Sequence, residues 1–492
     1  MSTIDTLKEL SARIYDLQCI GSLLAWDQEV YMPHGAVQDR ANQLALLSGI
    51  LHEYQIAKDL NEALERAASE QEGYSVQDKA LVRVMKRNYE QSTKLPAEFV
   101  TEFSKLTSQS VGAWVEARKK SDFSAFAPFL TKIVAMVRKQ TEYLGYEKHP
   151  YDALLDLYEE DLTTADVTRV FEEIKQPLIE LTAQARQHWQ DGIHFDDTLH
   201  EPHQKSYAHY LLEQIGYDFN RGRMDNAPHP FMERFGHNDR RVTNRYNPHA
   251  VEFIFGALHE GGHALYEQGI SVDLSRTALD TGVSLGIHES QSRMWENMIG
   301  RNRAFWDCHY DSLVKEFPKQ FGHIPVGDFY RRINQVKPGL IRVDADEVTY
   351  NLHVLIRFEI EKALIEGSLE VPELPTVWNA KYKEYLGVEV PDDAHGVLQD
   401  IHWSHGGIGY FPTYTLGNLN AAQIWNTYKH VDKDVNGTIR SGNTAKIKDW
   451  LTEHIYKHGS VYTPKELMKR VTGEEVQSTY LLEYLREKYL HH

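Results

Sequence analysis

The stretch at residues 247–269, NPHAVEFIFGALHEGGHALYEQG, constrains this chain more than any other. Asn247 followed by Pro248 reads as a helix start, because Asn caps free N–H groups and Pro fits the first turn. Val251, Ile254, Leu258 and Leu265 then recur at helical spacing, so one face is apolar and packs inward. On such a helix His259 and His263 lie one turn apart and project from one side, where two imidazole nitrogens can reach one metal ion. Glu260 lies about 100° further round the axis, placed to reach a water at that metal without being a ligand. Gly256, Gly261 and Gly262 occupy the helix interior, where each costs about 1 kcal/mol relative to Ala. Their presence predicts close approach of another helix or of a substrate.

Two histidines leave a zinc site incomplete, since a catalytic zinc takes three protein ligands and keeps one position open. Glu289, in GIHESQSRMWEN, is the expected third ligand, on the next long helix, with Ser292 and Glu296 continuing its polar stripe. His288 faces another direction. The bland alternative is that this stripe is a solvated face. Glu260 and His263 also form half of a di-iron Glu-x-x-His signature, but the chain offers no convincing second copy. A Gly-x-Ser-x-Gly elbow and a Walker-type phosphate loop are both missing from the sequence. With zinc on His259, His263 and Glu289, water is activated towards a pKa of ~7 and Glu260 is the general base for attack on a carbonyl.

The rest of the chain supplies the setting. Hydrophobic residues make up 41% and charged residues 25% of 492 positions, which describes a globular chain with a sizeable core. A net charge of −18 argues against nucleic acid or an anionic membrane as partner, since phosphate binding needs concentrated Lys and Arg. Cys19 and Cys308 cannot form a disulfide framework, and the N-terminus lacks a basic start followed by an apolar run, so the expected location is cytoplasmic. Residues 4–140 read as helices, 143–161 as a loop around a short helix, and 191–203 as a polar segment. Residues 240–246 alternate enough for a short strand, whose edge could pair with an extended peptide. Helices resume at about 284–305, 325–335 and 348–366, and a glycine- and aromatic-rich, non-helical stretch runs from 392 to 418. Within that stretch His402, His405, Tyr410 and Tyr414 offer donors for a developing oxyanion.

As a whole the sequence resembles the carboxypeptidase Taq family of zinc metallocarboxypeptidases. The matching pieces are His229-Pro230-Phe231, Asp239, Arg241 and Thr243 as Asp-x-Arg-x-Thr, HEGGH at 259–263, His288-Glu289-Ser290-Gln291, IRVDAD at 341–346 and GVLQDIHW at 396–403. The resemblance implies a mainly α, saddle-like zincin fold: one peptidase domain over 1–492, a deep groove beside a small antiparallel sheet, and residues up to about 165 covering the groove. It implies a homodimer that removes single C-terminal residues with broad specificity, using Zn²⁺ or Co²⁺. By the same resemblance Glu289 is the third ligand, Glu260 the base, and His405 and Tyr414 the oxyanion donors. His229, Gln399, His402 and Tyr410 join them as substrate-binding candidates. A terminal carboxylate favours the planar fork of Arg, with Arg342 the first choice and Arg241 the second. Two alternatives stay open: an oligopeptidase cutting internal bonds of short peptides, and a non-catalytic peptide-binding protein that contains a metal.

Overall fold

The computed structural model describes residues 2–189 and 198–490; of the polar segment 191–203, positions 191–197 lie outside the described residues. The described chain is mainly helical with one three-stranded sheet. It divides into two compact units, each assembled from three segments: Met1–Thr93, Ile193–Tyr330 and Ile424–Glu475 form the first, and Lys94–Gly192, Arg331–Gln423 and Val476–His492 the second. No helix among the described residues is long and apolar enough to cross a membrane.

In the first unit, helix α1 (Thr3–Val30) starts at a capping box in which Ser2 and Asp5 satisfy each other's backbone N–H groups. Leu7 and Leu10 on its inner face join Leu60, Leu64, Leu81 and Met85 of the following helices in one buried cluster with Ile270 and Leu279. Helix α2 (Glu201–Ile215) leads to strands β1 (Met224–Asn226), β2 (Met232–Gly236) and β3 (Asp239–Asn244). The strand expected at 240–246 forms, but it is the middle one, antiparallel to β2 and parallel to β1. Thr243 N donates to Phe231 O on one side, while Asn244 O accepts from Ala227 N on the other. Its edges are therefore already used, and the expectation that β3 itself pairs with a peptide is corrected.

Helix α3 (Glu252–Gln268) carries the central motif and begins five residues after Asn247. The delay has a cause in hydrogen bonding: Asn247 O accepts from Gln204 Nε2, Pro248 O accepts from Leu199 N, and the Asn247 side chain caps only His249 N. Carbonyls pledged to another segment cannot start the helical ladder. The interior glycines mark helix contacts. A Cβ on Gly262 would lie 2.7 Å from the backbone oxygen of Gln291 in helix α4 (Leu285–Arg293), and one on Gly261 would lie 2.7 Å from Leu212 and Ile215 of α2. Helix α4 runs straight into a π-helical turn, Met294–Ile299, before the helix Arg303–Glu316.

The second unit contains the helices Ala97–Lys120, Phe123–Leu144 and Thr164–His188, with the short helix Asp152–Leu155 inside the aromatic segment where it was expected. Helix α5 (Tyr350–Glu366) is almost wholly buried. The stretch read as non-helical to residue 418 has a short 3₁₀ turn at His402–His405 and then becomes helix α6 (Pro412–Val431). Proline at the first helical position, where an N–H is dispensable, explains the earlier onset. Tyr414 thus stands on a helix rather than in a loop.

Candidate active site

The spacing of His259 and His263 on α3 does what it predicts: the two rings are adjacent, with centroids 4.9 Å apart. Close packing at Gly262 brings α4 against them, and Glu289 arrives from that helix. Its Oε2 lies 3.6 Å from His259 Nε2 and 3.5 Å from His263 Nε2. Ligand atoms of all three residues fall within 4.8 Å of one another. A tetrahedral ion with ligand distances of about 2.1 Å requires donors about 3.4 Å apart, so the donor set fits such an ion. Glu289 is buried, which removes the solvated-face reading of its stripe.

The orientation of each donor is fixed from behind. His259 Nδ1 meets Glu296 Oε2 at 2.9 Å, leaving Nε2 for the cluster. His263 Nδ1 meets His288 Nδ1 at 2.6 Å, and His288 Nε2 meets Glu267 Oε1 at 3.2 Å. With His263 Nε2 free of its proton, Nδ1–H donates to His288, and His288 donates onward to Glu267. Arg293 Nε donates to Glu289 Oε1 at 2.6 Å and Ser292 Oγ to Glu289 Oε2 at 3.0 Å. Glu289, Arg293 and Glu296 recur at four and three residues on the face turned to the motif helix. Sequence reasoning placed Glu296 on the stripe but gave it no task, and it missed Arg293 and Glu267. The spacing to Arg293 was the available signal.

Electrostatics follow the geometry. Burial alone would drive His259 down, but the Glu289 charge and the Glu296 hydrogen bond overcome it and raise its pKa to about 9. Burial would raise Glu289, yet Arg293 and His259 hold it well below the usual carboxylate range. Burial lowers His263 to about 3. Glu260, buried and without a hydrogen bond to another described residue, is pushed up to about 7 by burial, against the pull of His259. A carboxyl poised near neutral pH can both take and return a proton.

The remaining candidates lie in other surroundings. Arg342 is only 4% exposed; its Nε and Nη2 both donate to Asp400 Oδ1, and Nη1 donates to Tyr350 Oη. Gln399 is buried with a saturated amide: its Oε1 accepts from Arg342 N and Arg357 Nη2, and its Nε2 donates to Leu340 O. It braces the two arginines and presents nothing to a ligand, which corrects its expected part in substrate binding. His402 Nε2 stands 3.4 Å from Tyr414 Oη, burial lowers the ring to about 3, and its Nδ1 is buried without a partner. Tyr410 packs edge-on against Tyr158 and Tyr414, and Arg342 lies 4.9 Å over the Tyr414 ring. His405 is exposed, and what burial it has lowers it from its ordinary value. In the first unit Arg241 pairs with Asp239 through Nε and Nη2 and stacks on Trp26, while His229 is exposed.

Known proteins are similar to this chain over nearly its whole length. A profile described as carboxypeptidase Taq (M32) metallopeptidase matches residues 6–489. Carboxypeptidase 1 of Bacillus subtilis is 40% identical, covering 95% of this chain and 94% of the relative. Thermostable carboxypeptidase 1 of Pyrococcus furiosus is 38% identical over 99% of each chain. The crystal structure of an M32 carboxypeptidase from Deinococcus radiodurans is similar with a TM-score of 0.97 at 37% identity, again over 99% of each chain. The metal-fitting triad with its unligated glutamate and the match from end to end lead to one conclusion: the chain belongs to the carboxypeptidase Taq (M32) metallopeptidase family.

Proposed function

We propose that this metal-dependent carboxypeptidase releases single C-terminal residues from peptides with broad specificity, and that its metal is zinc, with cobalt able to substitute. The observation that carries the reading is the triad of His259, His263 and Glu289, with the Glu289 oxygen 3.6 and 3.5 Å from the two imidazole nitrogens and Glu260 next to it in the helix. A bound zinc supplies a Lewis acid that polarises the scissile carbonyl and lowers the pKa of the attacking water. Glu260 takes the proton of that water and passes it to the leaving amine. Glu296 and His288 hold the two imidazoles in the tautomer that turns Nε2 to the metal. His405 and Tyr414 are proposed as oxyanion donors from the resemblance of their segment to related helical peptidases.

Arg342 remains the first candidate for the terminal carboxylate and Arg241 the second. Each has given one side of its fork to an aspartate, so a substrate takes the N–H groups left over. His229, His402 and Tyr410 are proposed along the peptide. The family resemblance further suggests a homodimer, which sedimentation would show as a doubled mass. The unpaired state of Cys19 and Cys308 supports a cytoplasmic location.

The test is hydrolysis of a blocked dipeptide, as free acid and as C-terminal amide, by protein stripped of metal and then given zinc or cobalt. Cleavage of the free acid alone is expected. Equal cleavage of both supports the oligopeptidase alternative, and no cleavage with metal bound supports a binding protein.

A further inference from the structure

The first unit holds a small cleft, about 130 Å³, that the mechanism does not use. Arg234 of β2 is the one charged residue on its wall. The guanidinium engages the Asp280 backbone oxygen through Nη1 and lies 5.4 Å over the Tyr15 ring; Nε and Nη2 meet no acceptor among the described residues. Gln18, Gln55 and Asn88 also face the cleft, and their amides make no hydrogen bond to another described residue. Leu60 and Met85 provide an apolar floor. A cation with N–H groups to spare, amides open to the cleft and an apolar floor complement a small carboxylate that carries an apolar side chain.

We propose that this cleft binds the carboxylate of a free amino acid or very short peptide at Arg234, and that occupancy is felt at the metal centre. Two wall residues touch the polar chain behind His263. Thr281 Oγ1 donates to Glu267 Oε1 at 3.3 Å, the same oxygen that receives His288, which in turn meets His263. Tyr15 Oη donates to Asp280 Oδ2 at 2.7 Å; Asp280 Oδ1 holds Arg240 at 2.9 Å, and Arg240 Nε faces Glu267 Oε2 at 3.5 Å. An occupant that moves Tyr15 or Thr281 therefore alters the group that orients a metal-binding imidazole. The binding half of the proposal is independent of the catalytic reading, and the coupling half rests on His263 being a ligand.

Calorimetry on zinc-loaded full-length protein tests it, with L-leucine, leucinamide and inorganic phosphate as titrants and the inhibition pattern recorded against a peptide substrate. Leucine also resembles a reaction product, so one equivalent at the catalytic centre is the baseline. Expected are a second leucine equivalent, its absence with leucinamide, and a noncompetitive component of inhibition. Arg234→Gln should weaken the second equivalent by about tenfold or more and abolish that component. Asn88→Leu, at an exposed position, keeps the test alive if Arg234→Gln does not fold. A single leucine equivalent with purely competitive inhibition, unchanged by either substitution, overturns the proposal. Phosphate binding as tightly as leucine overturns the assignment to amino acids. A second equivalent in protein that hydrolyses nothing would remove the catalytic reading and leave this site standing.

Discussion

Glu289 in the first unit and the half-buried Asp400 in the second are both held well below the usual carboxylate range by arginine, yet their surroundings differ in kind. Asp400 is closed on both oxygens: Arg342 donates twice to Oδ1, and Arg357 Nε donates to Oδ2 at 2.7 Å. Arg293 closes Glu289 on Oε1 only, and its Oε2, which accepts from Ser292 Oγ, faces two imidazole nitrogens whose far sides are already engaged. The first arrangement satisfies its carboxylate within the fold. The second gathers three donor atoms with a cation still to be supplied. Arginine beside an acid thus closes it within the fold when both oxygens are filled, and braces a metal ligand when one is left open.

Removing the metal is the sharpest way to break this comparison. Chelation should abolish hydrolysis, a loss of about 10⁴-fold or more, with recovery on adding zinc or cobalt, while hydrogen exchange around Asp400 stays unchanged. Activity that persists after verified metal loss would end the metal reading. Next in size is Glu260→Gln. Metal content should match the parent protein, and turnover should drop by about 10³- to 10⁴-fold, because the amide cannot accept the water's proton. Near-normal kcat in that variant would move the base elsewhere.

The two regions also differ in how legible they were. The triad could be read because its parts lie on neighbouring helices at helical spacing: a pair four residues apart, a glycine that lets the next helix in, and a glutamate with its arginine one turn on. Fifty-eight residues separate Arg342 from Asp400, and no local pattern announces their pairing. Gln399 therefore read as a ligand contact when its amide is spent on two arginines. Periodicity gave the helices themselves, but not the start of α3, which Leu199 and Gln204 delay, nor the central place of β3. Both depend on partners distant in sequence.

Asp400→Asn is the largest expected effect on stability. It leaves Arg342 and Arg357 buried without an anion, so unfolding free energy should fall by about 3–5 kcal/mol, with metal content unaltered. Urea titration and metal analysis on one preparation check both. A loss of metal without a loss of stability would reverse the roles assigned to the two regions.

Glu361 is a third kind of buried carboxylate, met by neutral donors: Tyr151 Oη at 2.6 Å, Trp403 Nε1 at 2.7 Å and Gly409 N at 2.9 Å. Burial outweighs these bonds and raises it to about 7 from an ordinary 4.5. A carboxyl whose folded pKa is raised contributes stability that is present below 4.5 and lost as pH climbs through about 7. The loss is about 3 kcal/mol across that window. Urea midpoints from pH 5 to 8 should therefore decline less in Glu361→Gln than in the parent, and parallel curves would contradict the shift.

Glu296→Gln makes the finest cut. Its carboxylate touches no proposed substrate group; Arg293 and Arg301 lie 3.4 and 3.5 Å from it, and its bond to His259 Nδ1 fixes the ring that reaches the metal. If Glu296 merely paired with those arginines, as Asp400 does in the other unit, its loss would lower stability and leave metal binding alone. If it acts through His259, the amide still accepts a hydrogen bond but no longer raises the basicity of the imidazole, and zinc affinity should weaken by about 10- to 100-fold with kcat at saturating metal changed less. Competition with a chelator of known affinity separates the two outcomes. Unaltered zinc affinity would place Glu296 with the structural pairs and confine the metal centre's support to His288, Arg293 and Ser292.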